Sequence, residues 1–151
     1  RTKMRQVFTT VYNERPYDIG LLILRIGVGC FMMRHGLQKL EMLMGDDPIQ
    51  FADPMGMGQT FTLYFAIFAE LICSFLIIIG LATRLATIPL IITMLVAVLI
   101  IHAADPIDNK ELGSLYLVIY VVLTLTGAGK YSVDHLISGR RREVRYTNTT
   151  L

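Results

Sequence analysis

Tryptophan is absent from the chain, cysteine occurs twice, histidine three times, and only 17% of residues are charged, against 54% that are hydrophobic. Each scarcity excludes something. Cys30 and Cys73 form no CxxC pair, so the chain carries no thiol-exchange or zinc signature and no cluster-binding cysteine set. No glycine-rich nucleotide loop occurs, and there is no internal repeat or low-complexity segment. With a mean hydropathy of +0.55, so little charge is foreign to an ordinary soluble domain and points to a membrane. Both cysteines fall in apolar runs and are expected to serve as small helix-packing residues.

What is there in place of charge is a set of four apolar runs: 19–40, 61–82, 85–101 and 112–128. Crossing a hydrocarbon core takes about 20 helical residues, so each is a candidate span, the third only just. The first is not read as a secretory signal peptide, because Arg25 interrupts it and no small-residue cleavage pattern follows; it is expected to stay in the mature protein. The expected fold is an all-α membrane bundle of four helices running up, down, up and down. Its membrane domain covers 19–137, between a basic segment at 1–18 and a basic tail at 138–151.

Lysine and arginine give this bundle an orientation, since cytoplasmic flanks retain them. One side holds Arg1, Lys3, Arg5 and Arg15, the turn at Arg84, and Lys130, Arg140, Arg141, Arg142 and Arg145. The other side has Arg34, Lys39 and Lys110 among Glu41, Asp46, Asp47, Asp53, Asp105, Asp108 and Glu111. Both termini are therefore expected in the cytoplasm, and the plasma membrane of a bacterium is the expected location. The "GRRREVR" tail suits anionic lipid headgroups, and no nucleic-acid-binding module surrounds it. The loop "EMLMGDDPIQFADPMGMGQT" breaks helical periodicity, and its Met and Phe side chains can rest on the membrane surface.

The polar groups within the runs need partners, because a charge at the bilayer centre costs about 2.5–3.5 kcal/mol on insertion scales. At 1.5 Å per residue, counting from the ends of the runs puts Arg25 about 9 Å from the inner edge and Glu70 about 14 Å from the outer one. In a core about 30 Å thick those levels nearly meet, which predicts an Arg25–Glu70 pair. Such a pair can simply lock two helices. It can also mark a polar centre for a headgroup, a quinone or a proton. Tyr116 and Tyr120 share a face of the fourth run one turn apart, and Tyr120 falls near the level of Glu70. Nearer the outer surface, His35 and His102 share a level, with Lys39 beside His35; Arg34 and Lys39 are expected to snorkel outward. Two histidines at one depth raise a metal or haem site, but without close ligand spacing neither is expected.

Four segments in this order, "LRIGVGCFMMRHGLQKL", "FAELICSFLIIIGLATRLA", "LVAVLIIHAAD" and "GAGKYSVDHL", resemble the DoxX family of small bacterial four-helix membrane proteins, over 19–137. The resemblance carries over Arg25, His35, Gly36, Lys39, Glu70, Gly80, Arg84, His102, Gly127, Gly129, Ser132 and Asp134. Independently of the family, the glycines of "GAGKYSVD" suit a left-handed cap closing the fourth helix. The family implies a redox setting, thiosulfate oxidation with quinone reduction or oxidative-stress complexes, and many members have no assigned reaction.

The expected function is thus an integral membrane subunit of a redox or envelope-associated complex with a quinone or lipid pocket. Its ligand candidates are Arg25, Glu70, His35, Lys39, His102, Tyr116 and Tyr120. Expected partners are membrane lipids and protein subunits, and a homo-oligomer is compatible with the helix glycines. The alternatives are a small proton-coupled carrier turning on Glu70, an autonomous enzyme acting on quinone or lipid, and a chaperone-like assembly factor. No catalytic residue is assigned.

Overall fold

The computed structural model describes residues 14–139, and every regular element in that range is helical. The basic residues at 1–5 and 140–145 lie outside the described residues. Helix α1 runs Glu14–Met44, α2 Gln59–Ile79, α3 Thr83–Ile101 and α4 Ile107–Thr126, followed by a short α5 at 133–139. α1, at about 46 Å, is longer than a membrane core requires. α1, α2 and α3 are long and apolar enough to cross a membrane; α4 has the length, but its beginning carries Asp108, Lys110 and Glu111.

The register of α1 on α2 is set by glycines. A Cβ on Gly36 would lie 2.8 Å from Leu71 N and 2.9 Å from Glu70 C, and one on Gly29 would run into Ile78. Backbones this close are possible only without side chains, and the dispersion contacts of close approach are what hold membrane helices together. α1 lies along α2, α2 meets α3 across a tight turn, and α3 packs along α4, whereas α1 and α4 approach each other sparsely. Met32, Leu63, Ile77, Leu90, Tyr120 and Leu123 form a fully buried interior. Thr87 Oγ1 and Thr124 Oγ1 hydrogen-bond at 2.7 Å between α3 and α4.

Outside, Ile23, Phe31, Leu85, Val118 and Leu125 are each at least 60% exposed. A continuous coat of large apolar side chains is what a protein surface facing lipid presents. Cys73 is buried as a packing residue, but Cys30 faces outward, so the expected packing role fails there.

Two helices carry a wider, π-helical turn: Phe68–Cys73 within α2 and Ala97–Ile101 at the end of α3. Such turns insert an extra residue and re-aim the side chains around them, and they recur at functional sites. The first contains Glu70. The second ends against His102.

Candidate functional site

The expected Arg25–Glu70 pair does not form. Arg25, fully buried, donates to the carbonyls of Ile77 (3.2 Å), Ile78 (3.4 Å) and Tyr131 (2.5 Å). Glu70 instead accepts a hydrogen bond from Lys39 Nζ at 2.6 Å. The miss is one of register. Depth counted from the ends of the apolar runs treated them as flush, whereas the contact of Gly36 with Glu70 puts this carboxylate eleven residues, about 16 Å, along α1 from Arg25. For the same reason Lys39 turns into the bundle instead of snorkelling outward; Arg34 stays exposed.

Arg25 belongs to a polar knot at one end of the bundle. The last carbonyls of α2 have no partner in a continuing helix, and those of Leu76, Ile77 and Ile78 find one here. Leu81 N–H donates to Leu76, Gly80 N–H to Ile77, and Arg25 to Ile77 and Ile78. A guanidinium is suited to this place, because its fork reaches several carbonyls and its charge opposes the negative end of the helix dipole. Gly80 caps α2 in the left-handed conformation (φ 72°, ψ 41°), and a Cβ there would strike Arg25.

Asp134 then clamps the next turn. Its carboxylate accepts from Ala82 N (2.7 Å) and Thr83 N (3.0 Å), while its own N–H donates to Gly80 O (2.9 Å). Arg84 donates to Leu125 O at the end of α4. Ser132 Oγ donates to Gly129 O and accepts from His135 N. Gly127 does not form the expected left-handed cap: at φ 78°, ψ −164° it is extended in a region open essentially to glycine alone. Asp18, absent from the sequence candidates, is buried here and accepts from Lys130 N. An acidic residue preceding the first apolar run is the only signal it leaves. Arg25, Gly80, Arg84, Gly127, Gly129, Ser132 and Asp134 are accounted for by this knot as terminators of helices.

Toward the other end, the Lys39–Glu70 pair stands between two cavities. One, of about 240 Å³, is lined by His35, Lys39, Glu70, His102, Asn109 and Tyr116, together with Met32, Met94 and Gly113. The other, of about 300 Å³, is lined by Lys39, Glu70, Met94, Ala97 and His102 and is covered by Phe51, Ala52, Pro54 and Met55 of the 45–58 loop. The loop thus folds Phe51 and Met55 over this mouth. It is pinned by Asp53, which accepts from Met57 N, Gly58 N and Thr62 Oγ1 at the start of α2.

His35 meets Tyr116 edge to face, with ring centroids 6.3 Å apart, and Tyr116 stacks on Tyr120 at 6.2 Å. Tyr120 is fully buried, and its hydroxyl has no hydrogen-bond partner among the described residues. His102 Nδ1 lies 2.7 Å from Asp105 Oδ2, and that hydrogen bond holds the Asp105 carboxyl below its ordinary range. Among the described residues no group of three or more His, Cys, Asp or Glu is placed to hold a metal ion. Met94, Ala97, Asn109 and Gly113 are beyond sequence reasoning, because they are ordinary helix residues until packing brings them to the cavity that Glu70 lines.

A bundle of apolar helices, knotted at one end and carrying a charged cavity toward the other, defines a helical membrane protein with a polar site between its helices. Comparison with known sequences narrows this further. The DoxX family model matches residues 20–103, and a Bacillus subtilis (strain 168) protein named "Putative oxidoreductase CatD" is 31% identical over 125 residues, covering 82% of this chain and 91% of that one. The chain belongs to the DoxX family. No solved structure gives a significant match.

Proposed function

We propose that this DoxX protein is a four-span subunit of a bacterial plasma-membrane redox complex, with both termini in the cytoplasm, and that the chamber around Lys39 and Glu70 binds the oxygenated head of a quinone or lipid. The observation that carries the reading is the ion pair itself: two charged groups within the apolar bundle, flanked on both sides by cavities. Ionisable groups inside a membrane are costly and commonly mark a ligand or ion path. Lys39, Asn109 and Tyr116 can donate to carbonyl oxygens, Glu70 can accept from a hydroxyl, and the two histidines can do either. The name of the Bacillus relative supports a redox setting. With no nucleotide loop or cysteine cluster in the sequence, electrons would reach the ligand through partner proteins, for which the exposed 45–58 loop is the proposed docking surface.

The test is mass spectrometry of the tagged protein extracted with its native lipids, reading bound proteins and small molecules from one sample. A stoichiometric redox polypeptide and a retained quinone or lipid, both reduced by Glu70→Gln with membrane insertion intact, are expected. A chain that retains neither sinks the reading. Insertion, partner and ligand falling together in Glu70→Gln would reduce the pair to a helix lock.

A further inference from the structure

The sparse approach of α1 to α4 leaves a cleft of about 720 Å³ on the lipid-facing side of the bundle. Most of its wall is apolar, including Ile23, Phe31, Leu115 and Ile119, and polar groups enter with Arg34, His35 and Gln38. His35 and Tyr116 line both this cleft and the 240 Å³ chamber that contains Lys39 and Glu70. Their edge-to-face contact therefore lies where the cleft and the charged chamber meet.

We propose that the α1–α4 cleft is a lateral entrance from the membrane, holding the hydrocarbon tail of a single-tailed amphiphile whose oxygenated ring passes between His35 and Tyr116 into the chamber. The proposal rests on the ligand-binding reading above and specifies the ligand's shape and route. Three features select this occupant. Polarity rises in one direction, from an aliphatic wall to the Lys39–Glu70 pair, as it does along a tailed ring. The chamber is of the size for a single ring with small substituents, since a cavity of about 150 Å³ takes benzene. A diacyl glycerophosphate head is bulkier and would bring two chains to one cleft. Where the two meet stand an imidazole and a phenol, whose weak edge-to-face contact can be exchanged for stacking on the entering ring.

Gly27 lines the cleft, and a Cβ built on it meets nothing within 4 Å, so a larger side chain there starts out into open space rather than against a packed helix. Full-length protein in lipid nanodiscs is titrated with two probes, a benzoquinone bearing a decyl tail and the same ring without it, using wild type, Gly27→Phe and Glu70→Gln. Leu115→Phe, on the opposite wall and 56% exposed, is a second plug in case the first does not fold. Partitioning into the bilayer is the same for every variant, so the ratio of variant to wild type isolates the site.

The expected result is that either plug weakens the tailed probe by at least about tenfold, 1.4 kcal/mol, and leaves the tailless ring within about twofold, whereas Glu70→Gln weakens both. If the plugs leave both probes unchanged while Glu70→Gln weakens them, the chamber reading stands and the entrance is overturned. If wild type binds neither probe, ring binding itself fails. A wild-type dimer that the plugs dissociate, or a phospholipid displaced by them without any ring binding, overturns the entrance in favour of a second copy of the chain or a structural lipid.

Discussion

The guanidinium of Arg25 occupies the space that a side chain on Gly80 would need, and in that place it donates to backbone carbonyls and to no carboxylate among the described residues, closing the C-terminal end of α2. Its third acceptor, Tyr131 O, lies in the segment after α4, so one side chain ties α1, the end of α2 and the chain beyond α4.

Replacing Arg25 by Ala should therefore cost about 3 kcal/mol or more, because it removes charge-assisted hydrogen bonds each worth about 1.5–3 kcal/mol; the Ile78 and Tyr131 carbonyls lose this donor, whereas Ile77 O keeps the N–H of Gly80. Arg25→Lys should recover little of it, since an ammonium lacks the fork that reaches two segments. Gly80→Ala should fail similarly, from the clash and from its positive φ. Thermal denaturation in detergent measures all three; wild-type melting of Arg25→Lys would refute the bridging role.

Two glycines of α1 should respond in opposite ways to alanine. At Gly36 the new methyl meets backbone at 2.8 Å, so the helices must part, with an expected cost of about 1–3 kcal/mol and weaker ligand retention as Lys39 and Glu70 separate. At Gly27 it meets open space, and the helix should gain about 0.5–1 kcal/mol from the better helix former. Equal effects at the two sites would show that the α1–α2 register differs from this one.

For the ion pair, Lys39→Met should destabilise by about 3–5 kcal/mol, because it strands the buried Glu70 carboxylate, and Glu70→Gln by less, because Lys39 is 22% exposed and reaches solvent. The double variant should be more stable than the sum of the singles allows. Stability measured around this cycle decides it, and strict additivity means the two groups do not interact.

Asp105 provides a pH-dependent contact at the α3–α4 connection. Its carboxyl is held below the ordinary value of about 3.9, chiefly by the hydrogen bond with His102, so the unfolded chain takes up a proton before the folded one does. The contribution is accordingly present above about pH 4 and is lost as pH falls through the lowered folded value. The gap in melting temperature between wild type and Asp105→Asn should be open at pH 6 and close toward pH 3. A gap independent of pH would place the effect elsewhere.

The proposed orientation predicts that a cysteine placed at Asp47, in a background lacking Cys30 and Cys73, reacts with an impermeant maleimide added outside intact spheroplasts, whereas one placed at Ser138 reacts only after permeabilisation. The reverse labelling pattern would invert the topology.

The sequence by itself determined the apolar helices, the turns between them and the family. These depend on runs of residue type and on local motifs, and the helices lie within a few residues of their expected places: 61–82 became Gln59–Ile79, and 85–101 became Thr83–Ile101. It also singled out Arg25, Lys39 and Glu70, because charge in an apolar run is conspicuous wherever it pairs. Which charge meets which was decided only by tertiary structure. Axial register between antiparallel helices is set by where their backbones can touch, here at Gly29 and Gly36, and no count along one helix contains that information. The same contact carried Glu70 away from Arg25 and onto Lys39.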